Sequence, residues 1–278
     1  MKLTVYNEII ALMHKYKSRD SLCKVQERYP NVSLSALGSI FAQDYQKKMR
    51  KTHHLHYNPE KIEQYYQIYC KGVQEKKKKK NVLYKLANEV DLSPALLARI
   101  ILERSLSCEG TVPSKSVVTR MMKDTSLIED PVLAFEIHTC FVCDDHYGPL
   151  VDNIKHSIGH EYEFKLNKIL DDLGLAYIGE DQMRDRGYDK TPDIKLEIPI
   201  SVDGYVVNWI ESKASFGDEH SHKGYLKDQF WSYWNRFGPG MVIYWFGFID
   251  ELDVNKEKGI ILRDSFPDNI VKMNPLMK

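Results

Sequence analysis

The chain has 278 residues, of which 43% are hydrophobic and 28% charged, a composition typical of a soluble globular protein with one or two domains. No apolar run approaches the roughly 20 residues that a membrane-spanning helix needs, and residues 1–5 do not predict a signal peptide. Five scattered cysteines favour a reducing compartment over a disulfide framework.

Positive and negative side chains balance at 39 each, but they are unevenly distributed. Residues 1–130 carry 23 Lys and Arg against 14 Asp and Glu, a net charge of +9, and residues 131–278 carry −9. A basic half is typical of nucleic-acid binding, and an acidic half can hold divalent cations. Mutual attraction of the two halves is the simpler alternative.

The first 125 residues predict an all-helical region, because apolar residues recur there at spacings of three and four. Helix starts are indicated by Ser33, by Asn58-Pro59-Glu60 and by Ser93-Pro94, which supply capping side chains and prolines at the first helical position. Residues 21–45 and 83–106 have the form of a helix-turn-helix. That form predicts DNA binding, but simple helical hairpins share it.

Two basic clusters, residues 47–51 and the five lysines of residues 76–80, lie between these motifs. Such runs are usually solvated, and they are also candidates for phosphate contacts or a nuclear address.

The later part of the chain changes in pattern. A helical linker is predicted for residues 126–157, after a helical region at 1–125, and an α/β domain for residues 158–278. Its predicted elements are a helix (158–173), a short strand (176–178), a brief helix (181–186), strands (193–200 and 205–214), a helix (223–236) and strands (241–249 and 259–262). This order predicts a central mixed sheet.

Three polar residues on neighbouring predicted strands carry the chemistry. Residues two apart on a strand share a face, so Glu211 and Lys213 point the same way. The turn reads as a three-residue loop, Val202-Asp203-Gly204, which would set Asp193 opposite Lys213. The three side chains are therefore predicted to converge.

Two carboxylates and a lysine suit metal-assisted hydrolysis of a phosphodiester. Asp193 and Glu211, with the main-chain carbonyl of Ser212, would hold Mg²⁺ or Mn²⁺, which activates water and polarises the phosphoryl oxygen. Lys213 would orient the water or stabilise transition-state charge. A structural cluster of charges is the alternative.

The stretch Thr191-Pro192-Asp193 followed by Glu211-Ser212-Lys213 resembles the PD-(D/E)XK nuclease signature. The resemblance implies that Glu163, on the preceding helix, also reaches the metal; Glu161 would point elsewhere. It implies a catalytic set and metal ligands among Glu163, Asp193, Glu211, Ser212 and Lys213.

The pair Gln229 and Tyr233 resembles the glutamine-x-x-x-tyrosine motif of RecB-like nucleases. A four-residue separation on a helix would let both side chains face a DNA strand, and Lys190 is the third predicted substrate contact. Core packing is the alternative for the aromatic residues of this helix.

Longer stretches, residues 188–193, 209–218 and 229–240, resemble the TPD-motif family of eukaryotes and archaea. The resemblance implies a restriction-endonuclease-like domain after helix-turn-helix segments, and a metal-dependent DNA endonuclease. In animals it implies a complex with codanin, in nucleus and cytoplasm, and a link to erythroid development. Two alternatives remain: a nuclease fold that serves as an interaction protein, and a DNA-binding regulator without catalysis.

Other candidate sites have simpler interpretations. Cys140 and Cys143 lie near three histidines and could bind zinc, but their position inside a predicted helix favours ordinary thiols. His220 and His222 are predicted in an exposed loop. Trp231, Trp234 and Trp245 could stack nucleobases, although core packing is favoured for at least two of them.

Overall fold

The computed structural model describes residues 1–16, 21–74, 81–107 and 113–273. The chain divides into two compact units, one of residues 1–41 and 157–278 and the other of residues 42–156. The lysine run at residues 76–80 lies outside the described residues. Among the helices that are described, none combines the length and apolarity needed to cross a bilayer.

The described residues form twelve α-helices. They are α1 (Leu3–Tyr16), α2 (Ser21–Arg28), α3 (Leu34–Thr52), α4 (Pro59–Gln74), α5 (Val82–Glu89), α6 (Pro94–Leu106), α7 (Lys115–Lys123), α8 (Pro131–Cys143), α9 (Pro149–Asp172), α10 (Glu180–Asp185), α11 (Glu219–Tyr225) and α12 (Trp231–Phe237).

Helix starts in the first half follow the predicted caps. The Ser33 hydroxyl accepts the N–H of Ala36 at 3.1 Å, and the Asn58 side chain accepts that of Glu60 at 2.9 Å. The two helix pairs α2–α3 and α5–α6 have bounds close to those predicted for the helix-turn-helix segments. Their insertion into a DNA groove remains a prediction.

The described residues of the unit 42–156 are mainly helical and share an apolar core. The middle of α6 is fully buried there, at Leu97, Ala98 and Ile101, and α8 contributes Leu133 and Ile137. Because α6 is buried on most sides, it is the central helix of this unit.

The unit of residues 1–41 and 157–278 contains the sheet. Its strands are β1 (Tyr177–Gly179), β2 (Ile194–Val202), β3 (Tyr205–Lys213), β4 (Gly240–Tyr244), β5 (Ile260–Arg263) and β6 (Ile270–Lys272). Strands β1 to β5 lie in sequence order, and β6 pairs with β2. The pairs β1–β2, β2–β3 and β2–β6 are antiparallel, whereas β3–β4 and β4–β5 are parallel. The prediction of a central mixed sheet is confirmed.

Helices cover both faces of this sheet. Leu166 and Leu170 of α9 share a core with Ile210 of β3. On the other face, Phe230 and Tyr233 pack with Trp209. The neighbouring residues Trp209 and Ile210 of β3 therefore lie in two different apolar layers.

One predicted helix and one predicted strand have different bounds, and one strand was not predicted. The helix predicted at residues 223–236 starts earlier, at Glu219, because Asp218 accepts the N–H of Ser221 at 2.8 Å. A π-helical segment, Leu226–Phe230, separates it from α12. Strand β4 ends at Tyr244 rather than 249, because Gly247 turns the chain with a φ of 85°. Strand β6 was not predicted.

The first 41 residues pack differently from the predicted division at residues 1–125, 126–157 and 158–278. Ile9 of α1 and Leu37 of α3 share a core with Phe216 and Ile249, which follow β3 and β4. The amino group of Met1 also donates to the Phe248 carbonyl at 2.8 Å. These contacts join residues more than 170 positions apart, so local patterns could not predict them.

Candidate active site

The turn of the β2–β3 hairpin differs from the predicted one. Asp203 and Gly204 have φ values of 51° and 86°, and Val202 pairs directly with Tyr205 across this two-residue loop. The three-residue loop predicted from the sequence is therefore wrong. Continued without interruption, the observed register would put Asp193 on the opposite face from Glu211.

A bulge in β2 reverses that outcome. Between its paired residues Lys195 and Ile200, β2 has four residues where β3 has one, so the register shifts by three positions. Pro199 lies in this stretch and has no N–H to donate to a neighbouring strand. A register shift by an odd number of residues moves the following side chains to the other face of the sheet. Where pairing resumes, Ile194 pairs with Ile210, so Asp193 lies opposite Glu211 rather than opposite Lys213.

The structure brings the three predicted side chains together. Asp193 Oδ2 accepts the main-chain N–H of Ser212 at 2.6 Å, and Glu211 Oε2 accepts that of Asp193 at 3.3 Å. Lys213 Nζ donates to Glu211 Oε1 at 2.6 Å. Two neighbouring strands thus supply two carboxylates and an ammonium group to one cluster.

Two further side chains hold the lysine in place. Lys213 Nζ also donates to Gln229 Oε1 at 3.1 Å, and it lies 4.6 Å from the centre of the Tyr225 ring. The Lys213 side chain retains 16% of its exposure, against 4% for Glu211. The lysine is therefore at the boundary of the buried cluster, only partly accessible to solvent.

Burial dominates the electrostatics of the cluster. It raises the pKa of both Asp193 and Glu211, and repulsion from Glu211 raises the pKa of Asp193 further. Burial on its own would lower the pKa of Lys213, but the adjacent Glu211 and Asp193 reverse this and raise it. The two carboxylates therefore favour an added positive charge.

Glu163 lies at the margin of this cluster. Its side chain is 42% exposed, and its Oε2 lies 3.2 Å from His160 Nδ1. Its charge contributes to the raised pKa of Asp193, so it is close enough to influence the site. Glu161, two residues earlier, is exposed.

Glu180 is a neighbouring acid that sequence reasoning missed. It begins α10, contributes to the raised pKa of Glu211, and accepts the Thr191 hydroxyl at 3.2 Å. Arg184 also donates to it at 2.6 Å. Its place directly after β1 was the available signal, but only the packing of α10 brings it near β3.

The predicted substrate contacts lie in three different environments. Gln229 contacts Lys213, whereas Tyr233 is 4% exposed in the core, where burial and then Glu211 raise its pKa. Lys190 is exposed, and its Nζ donates to the main-chain carbonyl of Asp228 at 2.5 Å. Only Gln229 touches the charged cluster directly.

The donor set suits a hard divalent cation. Mg²⁺ is usually bound by one or two carboxylates, with waters and substrate oxygens completing the shell, and Asp193, Glu211 and the Ser212 carbonyl are oxygen ligands of that kind. Within the described residues, no three His, Cys, Asp or Glu side chains form a group that could hold a metal ion. Glu163 thus lies near the pair without completing such a group.

The remaining candidate residues differ in their burial. Cys140 is buried while Cys143 is exposed, so of these two thiols only that of Cys143 is open to solvent. His222 lies in α11, not in an exposed loop: it is 2% exposed, its Nδ1 is 3.0 Å from the Tyr244 hydroxyl, and burial lowers its pKa to about 4. Trp234 is 37% exposed, and Trp231 is partly buried.

This mixed α/β unit brings two carboxylates and a lysine together beside the main chain of a central strand. These are the groups needed to hold a cation next to a phosphoryl oxygen. The class of protein defined by this fold and site is an α/β protein with a charged, buried cluster at the end of its central hairpin.

Comparison with known proteins identifies the family. Residues 129–266 match the family described as "Protein of unknown function TPD sequence-motif". The chain is 53% identical over 274 residues to "CDAN1-interacting nuclease 1" of Xenopus laevis, spanning 98% of this chain and 90% of that protein. The Homo sapiens protein of that name is 54% identical over 270 residues, 96% of each chain. The chain belongs to the TPD sequence-motif family, as its sequence predicted. No solved structure matches it.

Proposed function

We propose that this chain is a divalent-metal-dependent DNA endonuclease. The observation that carries the proposal is the convergence of Asp193, Glu211 and Lys213 at the end of the β2–β3 hairpin. The naming of close relatives as nucleases supports the reaction class. Phosphodiester hydrolysis suits the site, because its acids favour a cation and its lysine can neutralise charge that develops on phosphate.

Each residue of the cluster would have a separate role in phosphodiester hydrolysis. Asp193, Glu211 and the Ser212 carbonyl would hold Mg²⁺ or Mn²⁺, with Glu163 nearby, and the bound ion would supply Lewis acidity and an activated water. Lys213 would stabilise the transition state. Gln229 and Tyr225 would orient Lys213, since both contact its ammonium group.

The direct test is a cleavage assay on flapped, forked, single-stranded and duplex DNA, with RNA counterparts. We expect cleavage with Mg²⁺ or Mn²⁺, none in EDTA, and a loss of at least about 10³-fold in Glu211→Gln. Calorimetry should show weaker metal binding in Glu211→Gln and Asp193→Asn. Cleavage by Glu211→Gln at the unaltered rate, with unchanged metal affinity, would overturn the proposal.

A second candidate function is interaction. Relatives are named for interacting with CDAN1, and α8 exposes Val132, Phe135 and Val142 along one side. We propose that in animals the chain acts in a complex with codanin, in nucleus and cytoplasm and in erythroid cells. Glu211→Gln should then abolish cleavage without weakening codanin capture. If that variant supports every cellular function, the chain serves as an interaction protein.

A further inference from the structure

Helix α7 carries a positively charged surface that the proposed active site does not use. The helix belongs to the unit of residues 42–156, and Val118 and Met122 bury one side of it in the apolar core. The other side is exposed. Its residues, called here the basic face of α7, are Lys115, Ser116, Thr119, Arg120 and Lys123.

The basic face has the dimensions of a short run of nucleic-acid backbone. Lys115, Thr119 and Lys123 form a row along the helix, and Ser116 and Arg120 form the adjacent row. At 1.5 Å of rise per residue, the row spans roughly 12 Å, or about three to four base-pair steps at ~3.4 Å of rise along the axis of a B-form duplex. The five residues line a shallow surface recess of about 490 Å³.

The charges of this face are not neutralised within the described part of the protein. Lys115, Arg120 and Lys123 have neither an ion pair nor a side-chain hydrogen bond there, and α7 itself contains no Asp or Glu. In contrast, Lys48 of the same unit pairs with Asp91 at 2.5 Å. Because its buried side fixes the rotation of α7, the three cations stay on one surface.

We propose that the basic face of α7 binds the sugar–phosphate backbone of a nucleic acid. The inference rests on the proposed function, because a nuclease must hold its substrate, and it names a surface for doing so. Lysine and arginine supply charge, and serine and threonine hydroxyls supply hydrogen bonds, which together make up most protein contacts to phosphate. Such a contact reads no sequence and weakens with salt.

The test is binding of a labelled DNA duplex to the full chain in EDTA, where cleavage does not interfere. Fluorescence anisotropy over a series of salt concentrations gives the slope of log affinity against log salt. In the variant K115Q/R120Q/K123Q we expect the slope to become shallower by roughly two to three units, because each phosphate that the protein no longer neutralises removes about 0.9 from it. K115R/K123R should retain the original slope.

The matched control is K61Q/K71Q/K85Q, which removes the same charge from exposed lysines of the same unit. It should leave the slope unchanged, and equal thermal midpoints would show that both triple variants are folded. Any of three outcomes would overturn the inference. The first is an equal salt slope for the wild type and K115Q/R120Q/K123Q, and the second is an equal reduction of the slope in both triple variants. The third is no DNA binding by the wild type. If K115Q/R120Q/K123Q binds DNA normally but no longer binds polyglutamate, the inference is overturned in favour of an acidic protein.

The two proposals fail separately. Cleavage that depends on Glu211, combined with an unchanged slope in K115Q/R120Q/K123Q, retains the nuclease and removes the role of α7. A shallower slope without cleavage by any form of the chain retains the binding surface and removes the nuclease.

Discussion

Buried acids occur in both units of this protein, and their surroundings differ. In the helical unit, Glu136 accepts the N–H groups of Asn81 at 3.1 Å and Leu83 at 3.0 Å, at the start of α5. Asp144 accepts the Ser93 hydroxyl and the N–H of Ala95 at the start of α6. Each of these carboxylates is surrounded by donors that need an acceptor.

The acids of the α/β unit are arranged differently. Asp193 and Glu211 lie against each other, and burial together with repulsion raises the pKa of Asp193. Lys213 is the cation held at Glu211. Like Glu136 and Asp144, these two acids accept main-chain N–H groups, but they also lie beside each other, so an added positive charge would stabilise the pair, as expected of a metal site.

After the loss expected for Glu211→Gln, the largest effect is expected at the lysine. Lys213→Ala should lower cleavage by about 10²- to 10³-fold, because it removes a preorganised charge from the reacting phosphate. Single-turnover kinetics with Mg²⁺ measure the loss. The control Lys258→Ala, at an exposed lysine of the same unit, should cleave normally. An unaltered rate in Lys213→Ala would make the lysine structural, like the acids of the helical unit.

The structural acids should show the opposite behaviour. Asp144→Ala should lower the free energy of unfolding by about 2–4 kcal/mol, because it leaves several buried donors without an acceptor. Cleavage per folded molecule should not change. Urea unfolding measures the difference, and exposed Glu129→Ala should stay within about 0.5 kcal/mol of the wild type. Normal stability of Asp144→Ala would remove the contrast between the two kinds of acid.

A smaller effect is expected at Gln229. Gln229→Ala removes the amide oxygen that holds Lys213, and the lysine becomes less well oriented. The expected result is a fall of about five- to tenfold in kcat, with little change in KM. Its neighbour Asp228, whose side chain is exposed, offers the control Asp228→Ala. A change in KM alone would assign Gln229 to substrate binding instead.

The smallest effect concerns stability at Asp193, where the sign matters more than the size. The pKa of Asp193 is raised in the folded protein. Between its pKa in the unfolded chain and this raised value, the folded protein binds more protons than the unfolded chain does. The free energy of unfolding therefore falls as the pH rises through this interval. Asp193→Asn removes that penalty and keeps an oxygen for the Ser212 N–H. In EDTA, thermal unfolding should show the variant more stable at neutral pH, and the gain should shrink as the pH falls towards 4.

If the increase in stability of Asp193→Asn did not depend on pH, the charge of Asp193 would not be its cause. Added Mg²⁺ should raise the unfolding midpoint of the wild type more than that of Asp193→Asn, because only the wild type keeps both carboxylates.

The sequence predicted the convergence of the site for a reason that was partly wrong. Strand periodicity correctly put Glu211 and Lys213 on one face, since that relation needs only a regular strand. The position of Asp193 depended on a loop length, and the predicted loop was one residue too long. The unforeseen bulge near Pro199 shifted the register by an odd number and restored the predicted face.

The burial of His222 and Tyr233 could not be predicted from the sequence either. Both lie in a segment whose polar and aromatic residues are mixed without a clear apolar side. The π-helical segment Leu226–Phe230 changes the phase between α11 and α12, so helical spacing did not indicate which side chains are buried. Contacts with Tyr244 and Trp209 decided that His222 and Tyr233 lie in the core.

By itself, the sequence determined the elements whose causes are local: the helix starts at Ser33 and Pro59, the strands that carry Glu211 and Lys213, and membership of the TPD family. Capping, periodicity and short motifs act within a few residues, so they can be read along the chain. Only the tertiary structure decided the bulged register of Asp193, the approach of Glu180, and the packing of residues 1–41 on Phe216 and Ile249. These features depend on contacts between distant residues, whose energies no local pattern contains.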